Sequence, residues 1–168
     1  MKNIYRFLLS LSIFSLGCSP NLIEENKVIQ KIVNLDMNIF SESGDKIYSI
    51  NSPHSIYDNN ELKFQLKNTT INIYSGQEIK YIINSDESTL LDNNKILRLT
   101  GNVKLKTPNQ DGDTLFADNF IWDIEETNYL LEGNIRFENK NIILNSVKAQ
   151  MGSDNVIEFF GPVKYIIK

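Results

Sequence analysis

The chain of 168 residues sets 17 Lys and Arg against 21 Asp and Glu, for a formal charge of -4, and 41% of it is apolar. That is one domain's worth of protein with apolar material for a core, and its acidic balance excludes the broadly basic surface of a nucleic-acid binder. One Cys excludes a disulfide framework and a Cys-rich zinc site, and the lone His54 excludes a His-pair metal motif. The composition points away from an enzyme, so no catalytic residue, metal site or cofactor is assigned.

Residues 1–18 read MKNIYRFLLSLSIFSLGC. Lys2 and Arg6 give a positive start, and Phe7 to Leu16 an apolar stretch of about half the roughly 20 residues a helix needs to span a bilayer. That is the pattern of a secretory signal segment. Ser15-Leu16-Gly17-Cys18 resembles the bacterial lipobox, in which the Cys becomes the lipid-modified first residue of the mature protein. It departs from that pattern at two positions, which prefer Leu three residues before the Cys and a small residue two before it. We read 1–17 as a lipoprotein signal peptide and Cys18 as the lipidation site. The alternative is an ordinary signal peptide, or a short uncleaved anchor, with Cys18 incidental. Several acyl chains at one residue exceed the two membrane signals that stable anchoring takes. Residues 18–44 are read as lipidated N-terminus and spacer. Within them Leu22, Ile23, Ile29, Ile32 and Val33 have a loose helical spacing, so 19–35 is either a short helix or plain tether.

From about residue 46 the apolar period becomes two. Leu62, Phe64 and Leu66 alternate with Lys63, Gln65 and Lys67, and Ile71 and Ile73 flank Asn72. Alternation of this kind marks strands with one buried face. Asp58-Asn59-Asn60, Pro108-Asn109-Gln110-Asp111-Gly112 and Asn139-Lys140-Asn141 supply turns. His54, behind Pro53, is placed in a polar loop as a solvated residue. The body, 45–168, is predicted to be all-β.

An internal repeat sharpens this prediction. Leu97, Leu99, Gly101, Val103 and Leu105 form one strand face. Tyr129, Leu131, Gly133, Ile135 and Phe137 follow 32 residues later, and Ile157, Phe159, Gly161, Val163 and Tyr165 a further 28 on. Every one of these positions is apolar or Gly, and the central one is always Gly. Upstream, Ser85-Asp86 and Ala117-Asp118 stand at matching distances before Gly101 and Gly133. A Gly in the middle of a buried face lets a long strand bend or bulge. The alternation continues through each Gly-centred segment, so three bent, continuous strands are expected.

The runs Leu97-Arg98-Leu99-Thr100-Gly101-Asn102-Val103-Lys104-Leu105, Gly112-Asp113-Thr114-Leu115, Asn119-Phe120-Ile121-Trp122-Asp123 and Leu131-Glu132-Gly133-Asn134-Ile135-Arg136-Phe137 resemble the LptC family. LptC and its relatives share the OstA-like domain of the lipopolysaccharide-export bridge. The resemblance covers about 45–168. It departs in the anchor, since LptC proteins carry an uncleaved transmembrane helix and this chain a lipobox-like segment. The resemblance implies an OstA-like β-jellyroll of partly open antiparallel sheets, with lipopolysaccharide acyl chains held in its interior. The implied partners are LptF/LptG-like subunits of an inner-membrane ABC transporter and an LptA-like jellyroll protein. It implies a periplasmic place, membrane-anchored, at the inner rather than the outer membrane. The candidate groove lining is the set of repeat-face residues just named, with Gly101, Gly133 and Gly161 as strand-bend glycines. An apolar concave surface is what an acyl chain needs, and open strand edges are what a bridge joint needs. The edge near Val156–Ile167 is expected to meet the downstream partner and one near 46–66 the transporter.

The remaining motifs carry less. Phe116, Phe120 and Trp122 share a face with Asp118, for packing or for lipid contact. Asp118 and Asp123 lack a nucleophile or His and are read as flanking a turn. Asp111-Gly112-Asp113 lacks the Glu of a calcium loop. Lys104 and Lys106 lie on an outward face. No Walker-type phosphate loop is present, so energy for transport comes from elsewhere. The alternative to a lipid conduit is a structural or surface lipoprotein that uses the β-scaffold for protein contacts only.

Overall fold

The structure, a computed structural model, describes residues 29–91, 95–108, 113–126, 128–152, 154 and 156–168. The expected signal segment 1–17, Cys18 and the Asp111-Gly112 pair lie outside the described residues. The chain forms β1 (Ile29–Phe40), β2 (Lys46–Asp58), β3 (Lys63–Ser75), β4 (Glu78–Leu91), β5 (Ile96–Lys106), β6 (Thr114–Asp123), β7 (Asn128–Glu138), β8 (Ile142–Met151), β9 (Ile157–Phe160) and β10 (Lys164–Ile167). All lie in one antiparallel sheet in chain order, with β9 and β10 both pairing with β8. The all-β architecture expected from the alternation is therefore what forms. Two expected turns have side-chain caps: Asp58 Oδ1 accepts from Asn60 N, and Asn139 Oδ1 from Asn141 N and Ile142 N.

A crease crosses the sheet at mid-strand. In β5, Gly101 and Asn102 take φ of 73° and 47°, and in β7, Gly133 and Asn134 take 73° and 44°. This is the left-handed region, open to Gly and tolerated by Asn. Each pair inserts one residue relative to the neighbouring strands, so the ladders shift between Thr100 and Val103 and between Glu132 and Ile135. The extra residue preserves the inward set of β5 and β7, while the neighbours switch parity. In β6 the buried residues are Leu115 and Ala117, then Phe120 and Trp122. Phe116 and Asp118 therefore face outward, away from Phe120 and Trp122, and Phe116 lies under the Lys104 ammonium, 5.4 Å from the ring centroid.

The matching Asp residues upstream of each Gly now have a cause. Asp86 Oδ2 accepts a hydrogen bond from Asn102 Nδ2 at 2.7 Å, and Asp118 Oδ2 from Asn134 Nδ2 at 2.7 Å. Asp118 thus sits inside β6 and clasps the kink of β7; it does not flank a turn. A Cβ on Gly101 would lie 2.9 Å from Asp86 Oδ2, and one on Gly133 2.6 Å from Asp118 Oδ2. The carboxylates occupy the space that the glycines leave.

Three further expectations are corrected. First, the third repeat copy is not a continuous strand. It breaks at Gly161, φ 83°, into β9 and β10. Pro162 replaces the Asn of the other copies and has no N–H for a ladder, and Val147, not an Asp, stands against the Gly. Beyond the break Val163 and Tyr165 are 44% and 69% exposed, so the inward face ends at Phe159. Second, the sheet begins at Ile29, inside the expected 18–44 spacer. Ile32, Leu35, Met37 and Ile39 are its less exposed positions, and at Asn34, φ 56°, the inward side switches parity from Ile32 to Leu35 with β1 and β2 still in register, which mimics helical spacing. The free edge on that side is β1, not 46–66. Third, His54 lies within β2, exposed on the outer face, and not in a loop.

The crease folds the sheet so that its halves face each other. Tyr48 of β2 meets Trp122 of β6 edge-on, ring centroids 5.3 Å apart, and Tyr81 of β4 meets Tyr129 of β7 at 6.1 Å. Neither pair is on neighbouring strands, so these contacts join the two layers. The fold is a β-jellyroll built as a creased meander.

Candidate functional site

The interior is closed in the middle and open toward the C-terminal strands. Leu97, Leu99, Val103, Tyr129, Leu131 and Ile135 are buried in one continuous core. Burial pushes the Tyr48 phenol beyond the ordinary tyrosine range and raises Tyr81 in the same direction. It raises Tyr129 to about 12, with the nearby Tyr81 adding to the effect. An apolar surround disfavours the phenolate. Trp122 packs between Tyr48 and Tyr129, and its Nε1 has no hydrogen-bond partner among the described residues.

Between the layers, under β8 and β9, lies a cavity of about 330 Å³. Leu105, Leu115 and Phe137 line it from one half-sheet, and Met151, Ile157 and Phe159 from the other. Lys80, Thr107, Asp113 and Thr114 form a polar wall. Its volume lies at the lower end of the range for small-ligand sites. Of the residues singled out in the sequence, Leu105, Phe137, Ile157 and Phe159 come together here. Leu97, Leu99, Val103, Tyr129, Leu131 and Ile135 do not, being in the closed core, and Val163 and Tyr165 lie outside. Tyr81, Leu115, Leu144 and Met151 line the cavity without having been singled out. Leu115 was hidden by the parity switch in β6, which put it off the register of Phe120 and Trp122. Among the described residues no three His, Cys, Asp or Glu side chains converge as metal ligands.

Both sheet edges are open among the described residues. At one end β1 exposes Ile29, Val33 and Phe40, and at the other the C-terminal strands expose Phe160, Tyr165, Ile166 and Ile167. The C-terminal edge is held in place by its last residue. Lys168 Nζ donates to Glu138 Oε1 at 2.9 Å and to Asn139 O at 2.7 Å, and Lys168 N donates to Asn141 O. The Lys168 ammonium, with Arg136 beside it, holds the Glu138 carboxyl below its usual range.

The sequence matches the family model described as "Lipopolysaccharide-assembly, LptC-related" over residues 9–164. Among solved structures, the fold is similar to LptH from Pseudomonas aeruginosa, described as the LptA homologous periplasmic component of the conserved lipopolysaccharide transport device. The TM-score is 0.52 at 9% identity, covering 84% of this chain and 96% of that one. No curated protein matches the sequence.

Proposed function

This chain belongs to the LptC-related family of lipopolysaccharide-assembly proteins, and from that membership we propose that it is a non-enzymatic carrier in a lipopolysaccharide-transport bridge. In this reading it takes acyl chains from an LptF/LptG-like inner-membrane transporter into its apolar interior and passes them to an LptA-like jellyroll. The cavity between Phe137 and Phe159 carries the proposal, because its apolar walls suit a hydrocarbon chain and Lys80 suits an anionic head. The open edges suit neighbours that extend the sheet by main-chain hydrogen bonds. The membrane attachment would be a lipid on Cys18, in the periplasm and at the inner membrane.

Photo-crosslinkers at Leu105, Phe137 and Phe159, in cells making lipopolysaccharide, test the interior. Adducts at these positions and none at exposed Tyr165 are the expected result; no adduct at any cavity position overturns the reading. A Cys18→Ala variant should lose radiolabelled palmitate and detach from membranes, and unchanged retention would remove the lipid anchor.

A second reading, a scaffold for protein contacts only, is favoured by the closed core around Leu97, Leu99 and Leu131. It predicts crosslinks to proteins at the two edges and no lipid adduct inside.

A further inference from the structure

A second depression, of about 450 Å³, lies on the outer surface of one half-sheet, from β1 across to β5. Strand pairing sets its side chains in rows. Val33, His54 and Lys67 stand opposite one another in turn across β1, β2 and β3, with Glu87 of β4 beyond them. Lys31 and Ile56, paired with each other, begin the row beside them. Neighbours within a row have Cβ atoms about 4.5–5.5 Å apart. Three groups able to carry positive charge, Lys31, His54 and Lys67, thus gather on a chain of formal charge -4. Val33, 69% exposed, and Ile56 alternate with them as apolar surface. Lys67 and Glu87 form no ion pair among the described residues, nor do the side chains of Lys31 and His54 find a partner there.

The chain itself supplies an occupant of matching pattern. Shortly before β1, Leu22-Ile23-Glu24-Glu25 sets two apolar residues beside two carboxylates. That is the complement of Val33 and Ile56 beside Lys31, His54 and Lys67. The reach is sufficient. Lys67, opposite His54, is two strands in from β1 and level with Val33, which places it roughly 16 Å from Ile29 at ordinary strand spacing and rise. Glu24 precedes Ile29 by five residues, up to about 17 Å of extended chain, and Lys31 and His54 are nearer. Asn26, a residue suited to a turn, follows Glu25. Pairing beside β1 as a further edge strand would leave Lys67 out of range, whereas a path across the outer face meets all three cations. We propose that residues 22–25 fold back onto this outer depression, with Glu24 and Glu25 paired to Lys31, His54 and Lys67. Placed there, the segment shortens the tether between Cys18 and the sheet and leaves the free edge of β1 uncovered. The docking depends neither on lipid in the internal cavity nor on lipid at Cys18.

Amide hydrogen exchange of the full chain in detergent, read by mass spectrometry, tests the docking. Amides of residues 22–28 should exchange about tenfold more slowly than in a free peptide of residues 19–28. Glu24→Gln with Glu25→Gln should restore most of the peptide rate, and so should Lys31→Gln with Lys67→Gln. Combining the two pairs should add little, because both remove the same contact. Added salt should act in the same direction, and Phe159→Ala, in the internal cavity, should leave the segment's exchange unchanged. Unchanged urea midpoints separate lost docking from lost folding; if the double lysine variant does not fold, Lys67→Gln alone replaces it. Peptide-like exchange in the unmodified chain overturns the proposal. Undiminished protection in the folded Lys67→Gln variant does so too, since edge pairing would give that result. Protection that grows with protein concentration would assign the depression to a second copy and equally overturn it.

Discussion

At the scale of single residues, the crease depends on a glycine, an asparagine and a carboxylate acting together. Gly133→Ala places a Cβ 2.6 Å from Asp118 Oδ2 in a left-handed backbone, and should cost about 1–3 kcal/mol. In an Asp118→Ala background the clash is absent, so the same change should cost less. Urea unfolding of the two single variants and the double variant measures that coupling, and strict additivity would mean that the carboxylate does not fill the glycine's space. The buried phenols set a second expectation. Tyr129 holds its proton to about pH 12, above the ordinary 10 of an unfolded chain. A raised folded value means that its contribution to stability is complete below pH 10 and is lost as pH climbs toward 12. The urea midpoint should fall over that interval, and the fall should be shallower in Tyr129→Phe. A pH-independent midpoint between 10 and 12 would contradict the burial described.

At the scale of elements, β5 and β7 were legible because Gly preserves their alternation on both sides of the kink. β1 was not legible. Its Asn34 takes a left-handed φ without a Gly and without a register shift, and the switch of the inward side from Ile32 to Leu35 turns period two into a spacing that looks helical. Asn68, φ 51°, accompanies the same kind of parity switch in β3, from Leu66 to Thr69. β9 and β10 were read as one strand because the face pattern ignores Pro162, whose missing N–H acts on the ladder and not on hydropathy. The four cavity residues that the sequence did find lie where strand alternation meets the free end of the core. The closed core looks the same in one dimension, so alternation cannot tell packing from lining. The C-terminal edge carries two predictions. Replacing exposed Tyr165 and Ile167 by Glu should weaken capture of an LptA-like jellyroll at least tenfold while leaving the urea midpoint unchanged; undiminished capture would place the joint elsewhere. Lys168→Ala should speed amide exchange in residues 164–167, because it removes the ties to Glu138 and Asn139.

At the scale of the whole molecule, the two layers close on each other through Tyr48, Trp122, Tyr81 and Tyr129, and part beneath β8 and β9. A larger side chain should fill that gap. Phe137→Trp should reduce lipid adducts at Phe159 several-fold without weakening partner capture at the edge, and unchanged adducts would mean that lipid lies elsewhere. The kinked asparagines Asn34, Asn68, Asn102 and Asn134 fall on alternate strands, 34, 34 and 32 residues apart. Each hairpin thus brings its own segment of the bend. A sheet made of such units can gain or lose a hairpin without changing the angle between its walls, so its cross-section is independent of its length. Like a gutter sold in sections, the trough can be lengthened at its end while its profile stays the same.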